Sequence, residues 1–177
     1  MRQKFTSILI LFLLLPLFSE VVQVQTTLFP LFDFARTIGG DKATVSLLLP
    51  PGAEPHSYEP TPHDVISIKE ADLFIYTGPF MEPWVGTLAQ GKATIVNASD
   101  HLPLHNKEEC EEEHHDHRGE HHHNVDPHIW TNPVFCLTIV DNILAGFITI
   151  DAQNREYYTS RADSLKKELK ALDTAIR

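Results

Sequence analysis

The sequence predicts an α/β fold, an open and mainly parallel four-stranded sheet with flanking helices, followed by the start of a long helix. Three observations carry this. Alternating or apolar runs of strand length, at residues 21–26, 43–49, 72–76 and 93–96, are separated by stretches whose apolar residues recur at helical spacing. The run 43–49 (A-T-V-S-L-L-L) is nearly all apolar, as expected of a strand buried on both faces of a parallel sheet. Residues 21–49 read as strand, helix and strand joined by short connections, a β-α-β unit.

Taken in order, V-V-Q-V-Q-T at residues 21–26 alternates and is β-rich, and Thr27 and Pro30 announce a helix start. Leu31, Phe34, Ala35 and Ile38 fall at i, i+3, i+4 and i+7, and Gly39-Gly40 stops that helix. After the strand at 43–49, residues 50–62 (P-P-G-A-E-P-H-S-Y-E-P-T-P) form a proline-stiffened loop. Thr61, Pro62 and Asp64 supply an N-cap, an N1 proline and an acidic N3 residue for a short helix to about residue 70. D-L-F-I-Y at 72–76 is the third strand, residues 82–90 a helix carrying Trp84 and Leu88 inward, and residues 93–96 the fourth strand.

Residues 105–124 are polar, rich in His and Glu, and read as a disordered loop. Thr131-Asn132-Pro133 then caps a helix with Cys136, Val140, Ile143, Leu144, Phe147 and Ile148 on one face. Beyond Asp151 the apolar residues Tyr158, Ala162, Leu165, Leu169, Leu172 and Ile176 follow at spacings of 4, 3, 4, 3 and 4, a long amphipathic helix. No Gly, Asn or Pro closes it before Arg177, so the chain reads as cut within this helix. The expectation is that Leu165, Leu169, Leu172 and Ile176 lie partly uncovered, with self-association through this stripe.

The 177 residues suffice for one domain with a sizeable core. With 24 Asp and Glu against 14 Lys and Arg the net charge is -10, which argues against nucleic acid or an anionic membrane surface as a partner and favours cationic ligands. Residues 1–19 join a basic start (Arg2, Lys4) to an apolar run at 8–18, the pattern of a secretory signal peptide, with an uncleaved anchor as the alternative. That implies a periplasmic or extracellular protein, and with no cysteine directly following the apolar run, one that is not lipid-anchored. Export permits disulfides, but Cys110 and Cys136 are open to a bridge, to two free thiols, or to Cys110 joining the metal-binding loop.

Eight of the eleven histidines lie between residues 105 and 128, beside carboxylates and almost without apolar neighbours. Acidic disorder alone needs no imidazole. His114, His115, His117, His121, His122 and His123 are therefore read as weak, exchanging ligands that lose metal as pH falls through ~6.5. A tighter site is read from two histidines held by proline. His56 follows the second strand within the proline loop, where an open α/β sheet places its ligands. A lone loop histidine is usually idle, but His128, in D-P-H-I-W-T-N-P, is a second of the same kind, bracketed by Pro127 and Pro133 with Trp130 to exclude water. Glu54, Glu59 and Asp126 are read as groups that structure the loops or support the ligands, and His63 and His101 as unliganded. Zinc suits imidazole donors better than manganese, which lies at the bottom of the divalent affinity order. No H-E-x-x-H, G-x-S-x-G, phosphate loop or paired-cysteine zinc spacing occurs, so an enzyme is not expected.

Four stretches, 21–41 (V-V-Q-V-Q-T-T-L-F-P-L-F-D-F-A-R-T-I-G-G-D), 49–64 (L-P-P-G-A-E-P-H-S-Y-E-P-T-P-H-D), 71–84 (A-D-L-F-I-Y-T-G-P-F-M-E-P-W) and 126–133 (D-P-H-I-W-T-N-P), resemble in order the N-terminal half of the zinc- and manganese-binding solute-binding proteins of ABC importers. The His-rich insertion resembles that of their zinc-uptake branch. The resemblance implies two lobes joined by one long rigid helix, with metal in the cleft, His56 and His128 as the first two ligands, a membrane permease as partner and a monomeric full-length form. It further implies that residues 20–150 are the N-terminal lobe, residues 151–177 begin the connecting helix, and the lobe carrying the remaining ligands is absent. Where some zinc members carry a Glu directly before the first His, Pro55 stands here, and that role is not carried over. A manganese-binding homologue, a surface adhesin on the same scaffold and a nonfunctional fragment are the other readings.

Overall fold

The computed structural model describes residues 20–50, 52–88, 91–104 and 126–177. Its sheet holds β1 (Val22–Thr26), β2 (Ala43–Leu47), β3 (Leu73–Tyr76) and β4 (Thr94–Asn97), all parallel, in the order β2-β1-β3-β4. The helices are α1 (Phe29–Gly39), α2 (Pro62–Glu70), α3 (Pro133–Ile150) and α4 (Arg155–Ile176). The chain runs outward from β1 to β2 and then returns past it to β3, so the switch in strand order lies between β1 and β3. Ligand sites in open α/β sheets lie beyond the carboxyl ends of the strands, beside such a switch.

Successive side chains of a strand point to opposite faces, and the core divides accordingly. Val22, Val24, Leu73 and Ile75 face one layer with Leu31, Ala35 and Ile38 of α1, the buried face of α3, and Tyr158, Ala162, Leu165 and Leu169 of α4. Phe74 faces the other way, into a smaller cluster with Leu28, Leu48, Leu49, Ile68 of α2, Met81 and Val85. Gly146 lets α3 lie close on the sheet, since a Cβ there would stand 2.6 Å from Val96 Cγ2. Gly40, at φ 53°, ends α1 in a conformation that L side chains resist, and a Cβ there would strike the Tyr157 hydroxyl.

Three expectations change. β2 is not buried on both faces: it is an edge strand with Thr44 and Ser46 exposed, and the buried strand is β3, with Leu73, Phe74 and Ile75 at 0% exposure. A run of apolar residues reports burial, but which strand is central depends on long-range pairing. Among the described residues 82–88 no α-helix forms; Pro83–Thr87 is a 3-10 turn, whose Trp84 and Leu88 do pack on the smaller core cluster, as expected, though only partly buried, while Val85 is fully inside. Pro83 removes a donor at its start and Gly86 weakens its middle. In α4, Leu165 and Leu169 are covered by the core, while Leu172 and Ile176 stand exposed at 50% and 64%.

Candidate metal centre

The chain leaving β2 carries His56 on a 3-10 turn, Pro55–Ser57. Glu54 structures that turn from outside, its carboxylate accepting from the His56 backbone N–H at 3.2 Å. Tyr58, next along, donates its hydroxyl to Asp64 Oδ2 at 2.7 Å. Asp64 is also the N3 member of a complete capping box with Thr61 at the start of α2, as the sequence pattern predicts. Burial and then the Asp64 carboxylate push the Tyr58 phenol up to about 12, so it keeps its proton and donates at neutral pH. For Asp64 itself, burial pulls upward, but the bonds from Tyr58 and Thr61 outweigh it and hold the carboxyl below its ordinary range.

His128 is held more directly. Asp126 Oδ1 accepts from the His128 backbone N–H at 3.0 Å and lies 2.9 Å from its ring Nδ1. An ionised carboxylate can only accept, so in the neutral imidazole this contact places the proton on Nδ1 and leaves the lone pair on Nε2. The His128 carbonyl accepts from Thr131 N and Oγ1 at 3.0 and 2.8 Å, closing the 3-10 turn Ile129–Thr131. Ile129, 3% exposed, pins that turn to the core, and the Trp130 ring meets the imidazole edge-on at 5.5 Å between centroids. Cys136 Sγ donates to the Trp130 carbonyl at 3.2 Å, and Asn132 caps α3 through Val134 N at 2.9 Å. Cys136 is a free thiol, buried, and burial raises its pKa to about 11.

These two turns bring His56 and His128 together. Their ring centroids are 5.6 Å apart at 74°, and both side chains are exposed to solvent at the carboxyl edge of the sheet. Beside them lies an apolar hollow of about 340 Å³, lined by Leu28, Phe29, Leu49, Pro55 and Trp130 among others. A hollow of about 370 Å³, lined in part by Asp72, Lys92 and Asp151, sits at the opposite end of the strands, away from the histidines. Among the described residues no group of three or more His, Cys, Asp or Glu side chains comes close enough to hold an ion, and two imidazoles are fewer than the four ligands of a structural zinc site.

His63, in the first turn of α2, and His101, at φ 65°, are exposed and outside this pair, as is Glu59. His114, His115, His117, His121, His122, His123 and Cys110 lie outside the described residues. The sequence reading missed two polar devices near the site. One is the Tyr58–Asp64 bond. The other is Glu82, 2% exposed, whose carboxylate takes bonds from Thr27 Oγ1, Thr77 N and Oγ1, and Gly78 N, tying the carboxyl end of β1 to that of β3. Burial pushes the Glu82 carboxyl up against those donors. Its one sequence signal is an acidic residue before Pro83, four residues after the Gly78 that follows the strand.

The family described as zinc-uptake complex component A, periplasmic, matches residues 24–177. The chain is 41% identical over 166 residues to the high-affinity zinc uptake system protein ZnuA of Bacillus subtilis, a match covering 90% of this chain and 51% of that protein. Among solved structures, the metal-dependent lipoprotein YcdH of Bacillus subtilis superposes with a TM-score of 0.75 at 36% identity, over 87% of this chain and 54% of that one. The laminin-binding protein Lmb of Streptococcus agalactiae, described as a bifunctional protein with adhesin and metal-transporting activity, gives 0.73 at 30%, over 86% and 54%. The chain thus spans about half the length of these three proteins. The lipoprotein name corrects one expectation: the absence of a cysteine directly following the apolar run at 8–18 does not set this chain apart from lipid-anchored proteins, because its relatives include lipoproteins.

Proposed function

Because the chain belongs to the zinc-uptake complex component A family, we propose that it binds Zn²⁺ through one ring nitrogen each of His56 and His128, as part of the solute-binding component of a metal ABC importer that passes the ion to a membrane permease. The spacing of the two imidazoles carries this reading. Two imidazoles on one tetrahedral zinc, with Zn–N near 2.0–2.1 Å, place their ring centroids roughly 5.2 Å apart. The observed 5.6 Å requires only a small closure. His128 is already poised, since Asp126 on Nδ1 leaves Nε2 as the metal-facing donor. Neutral imidazole suits zinc above manganese.

Residues 20–150 act as the metal-binding lobe, and α4 leads toward the part of the protein that supplies the other ligands. His114, His115, His117, His121, His122 and His123 collect the ion weakly and raise its local concentration. The protein makes and breaks no bond. Leu172 and Ile176 are where this chain self-associates when nothing else covers them.

Zinc titration of the chain and of a His56→Ala, His128→Ala double variant, each with and without residues 105–124, tests the reading. Loss of the tightest binding in the double variant is expected, whether or not the His-rich segment is present. Tightest binding left untouched by the double variant rules out the pair. A second reading, surface adhesion, has the description of the Streptococcus agalactiae neighbour and the 64% exposure of Phe29 in its favour. Laminin binding that survives the double variant and is lost in Phe29→Ser marks that surface as separate from the metal site.

A further inference from the structure

The loop that presents His56 has few ways to hold itself still. Proline lacks an N–H, and prolines at 50, 51, 55, 60 and 62 remove donors that could otherwise reach the framework. The bonds it does make are mostly internal: Ala53 N to the Pro50 carbonyl at 3.0 Å, Tyr58 N to the Pro55 carbonyl at 3.4 Å, and His56 N to Glu54 at 3.2 Å. Such bonds set the shape of the loop but not its place. Among the described residues from 52 to 60, the one hydrogen bond that leaves the loop is Tyr58 Oη to Asp64 Oδ2, at 2.7 Å.

Both ends of that bond are anchored. The Tyr58 ring packs on the smaller core cluster with Ala53. Asp64 belongs to α2, which is sealed into the same cluster by Ile68 at 2% exposure. The start of α2 does not need Tyr58, because Thr61 and Asp64 already satisfy one another through Thr61 N at 2.7 Å and Asp64 N at 3.3 Å. The hydroxyl is therefore surplus to helix capping and sits two residues from the ligand.

We infer that Tyr58 is a positioning residue for His56: its hydroxyl bond to Asp64 fixes the ligand loop on α2 and so holds the His56 imidazole opposite that of His128. This rests on the assignment of His56 as a zinc ligand. It adds that the pair is preformed by a tether on the His56 side, independent of the metal.

Tyr58→Phe removes the hydroxyl and keeps the ring. Two readouts separate the inference from the ligand assignment. In the metal-free protein, backbone order parameters at residues 53–58 are expected to fall from the rigid range near ~0.85 toward ~0.6, while those of α2 stay unchanged. Unchanged order parameters in the loop overturn the tether, whatever the protein binds. With zinc, Tyr58→Phe is expected to weaken the tightest binding about tenfold, the lower end of what supporting residues cost a metal site. In a His56→Ala background the same change is expected to have no effect. An equal loss in both backgrounds means that Tyr58 acts on the fold and not on His56, and overturns the inference. If His56→Ala itself changes nothing, the ligand assignment fails while the metal-free measurement still decides on the tether.

Discussion

The two histidine turns solve one problem by different means. His128 is held at the ring, with Asp126 bonded to both its backbone N–H and its Nδ1, Trp130 against its edge and Ile129 buried beneath. His56 is held at the backbone: a stiff loop, a Glu54 cap and a tether through Tyr58, with no hydrogen bond to its ring among the described residues. The first arrangement engages one ring nitrogen and leaves the other open; the second fixes the backbone of His56 and leaves its ring without a hydrogen bond among the described residues. A site built from one of each can accept an ion without rearranging its backbone, and the His56 ring supplies the final adjustment.

The comparison sets an order of effects. The largest is expected at Asp126, where substitution to Ala removes both the ring bond and the backbone cap; supporting carboxylates of this kind are worth about 10–100-fold in metal affinity. A competition titration against a chelating dye checks it, and a change smaller than that of Tyr58→Phe reverses the ranking of the two turns. Next comes Pro55→Ala, which loosens the His56 turn without removing a hydrogen bond. Such entropic changes are worth about 0.4–1 kcal/mol, so the loss should be roughly two- to fivefold. Full tightness in Pro55→Ala places all of the rigidity in the Tyr58 tether.

The smallest effect is on stability against acid. Bonds from Tyr58 and Thr61, with the nearby His63, depress the Asp64 carboxyl against the upward pull of burial. A depressed carboxyl contributes stability that is present above its unfolded pKa and is lost as pH falls through its folded value. Tyr58→Phe removes part of that depression. The stability gap between the wild type and this variant should therefore be full above pH ~5 and narrow toward pH ~2. Thermal melts across that range check it, and a gap that does not depend on pH shows that the bond to Asp64 is not what stabilises the loop.

Much of this architecture is legible in the chain itself. Punctuation by Thr61, Pro62 and Asp64, and by Asn132 and Pro133, marks the start of α2 and of α3 directly, because capping is local chemistry. The pairing of His56 with His128 is legible for a related reason: proline brackets around a histidine after a strand are a local feature, and the fold brings the two rings to 5.6 Å of one another. What depends on distant pairing was not legible. The edge position of β2 follows from the strand order, which no window of sequence contains. Val85 joins Trp84 and Leu88 in the smaller cluster and is the most deeply buried of the three, because Pro83 and Gly86 turn the chain as a 3-10 segment. Glu82 reads as the start of a helix, and its burial is evident only once β1 and β3 lie side by side.

The most direct test of the central claim is nitrogen-detected NMR of the histidine rings during zinc addition. The account predicts that the first equivalent moves a ring nitrogen of His56 and Nε2 of His128 together, while His128 Nδ1 keeps its proton against Asp126. A first equivalent that leaves both rings unchanged and goes to other histidines contradicts it.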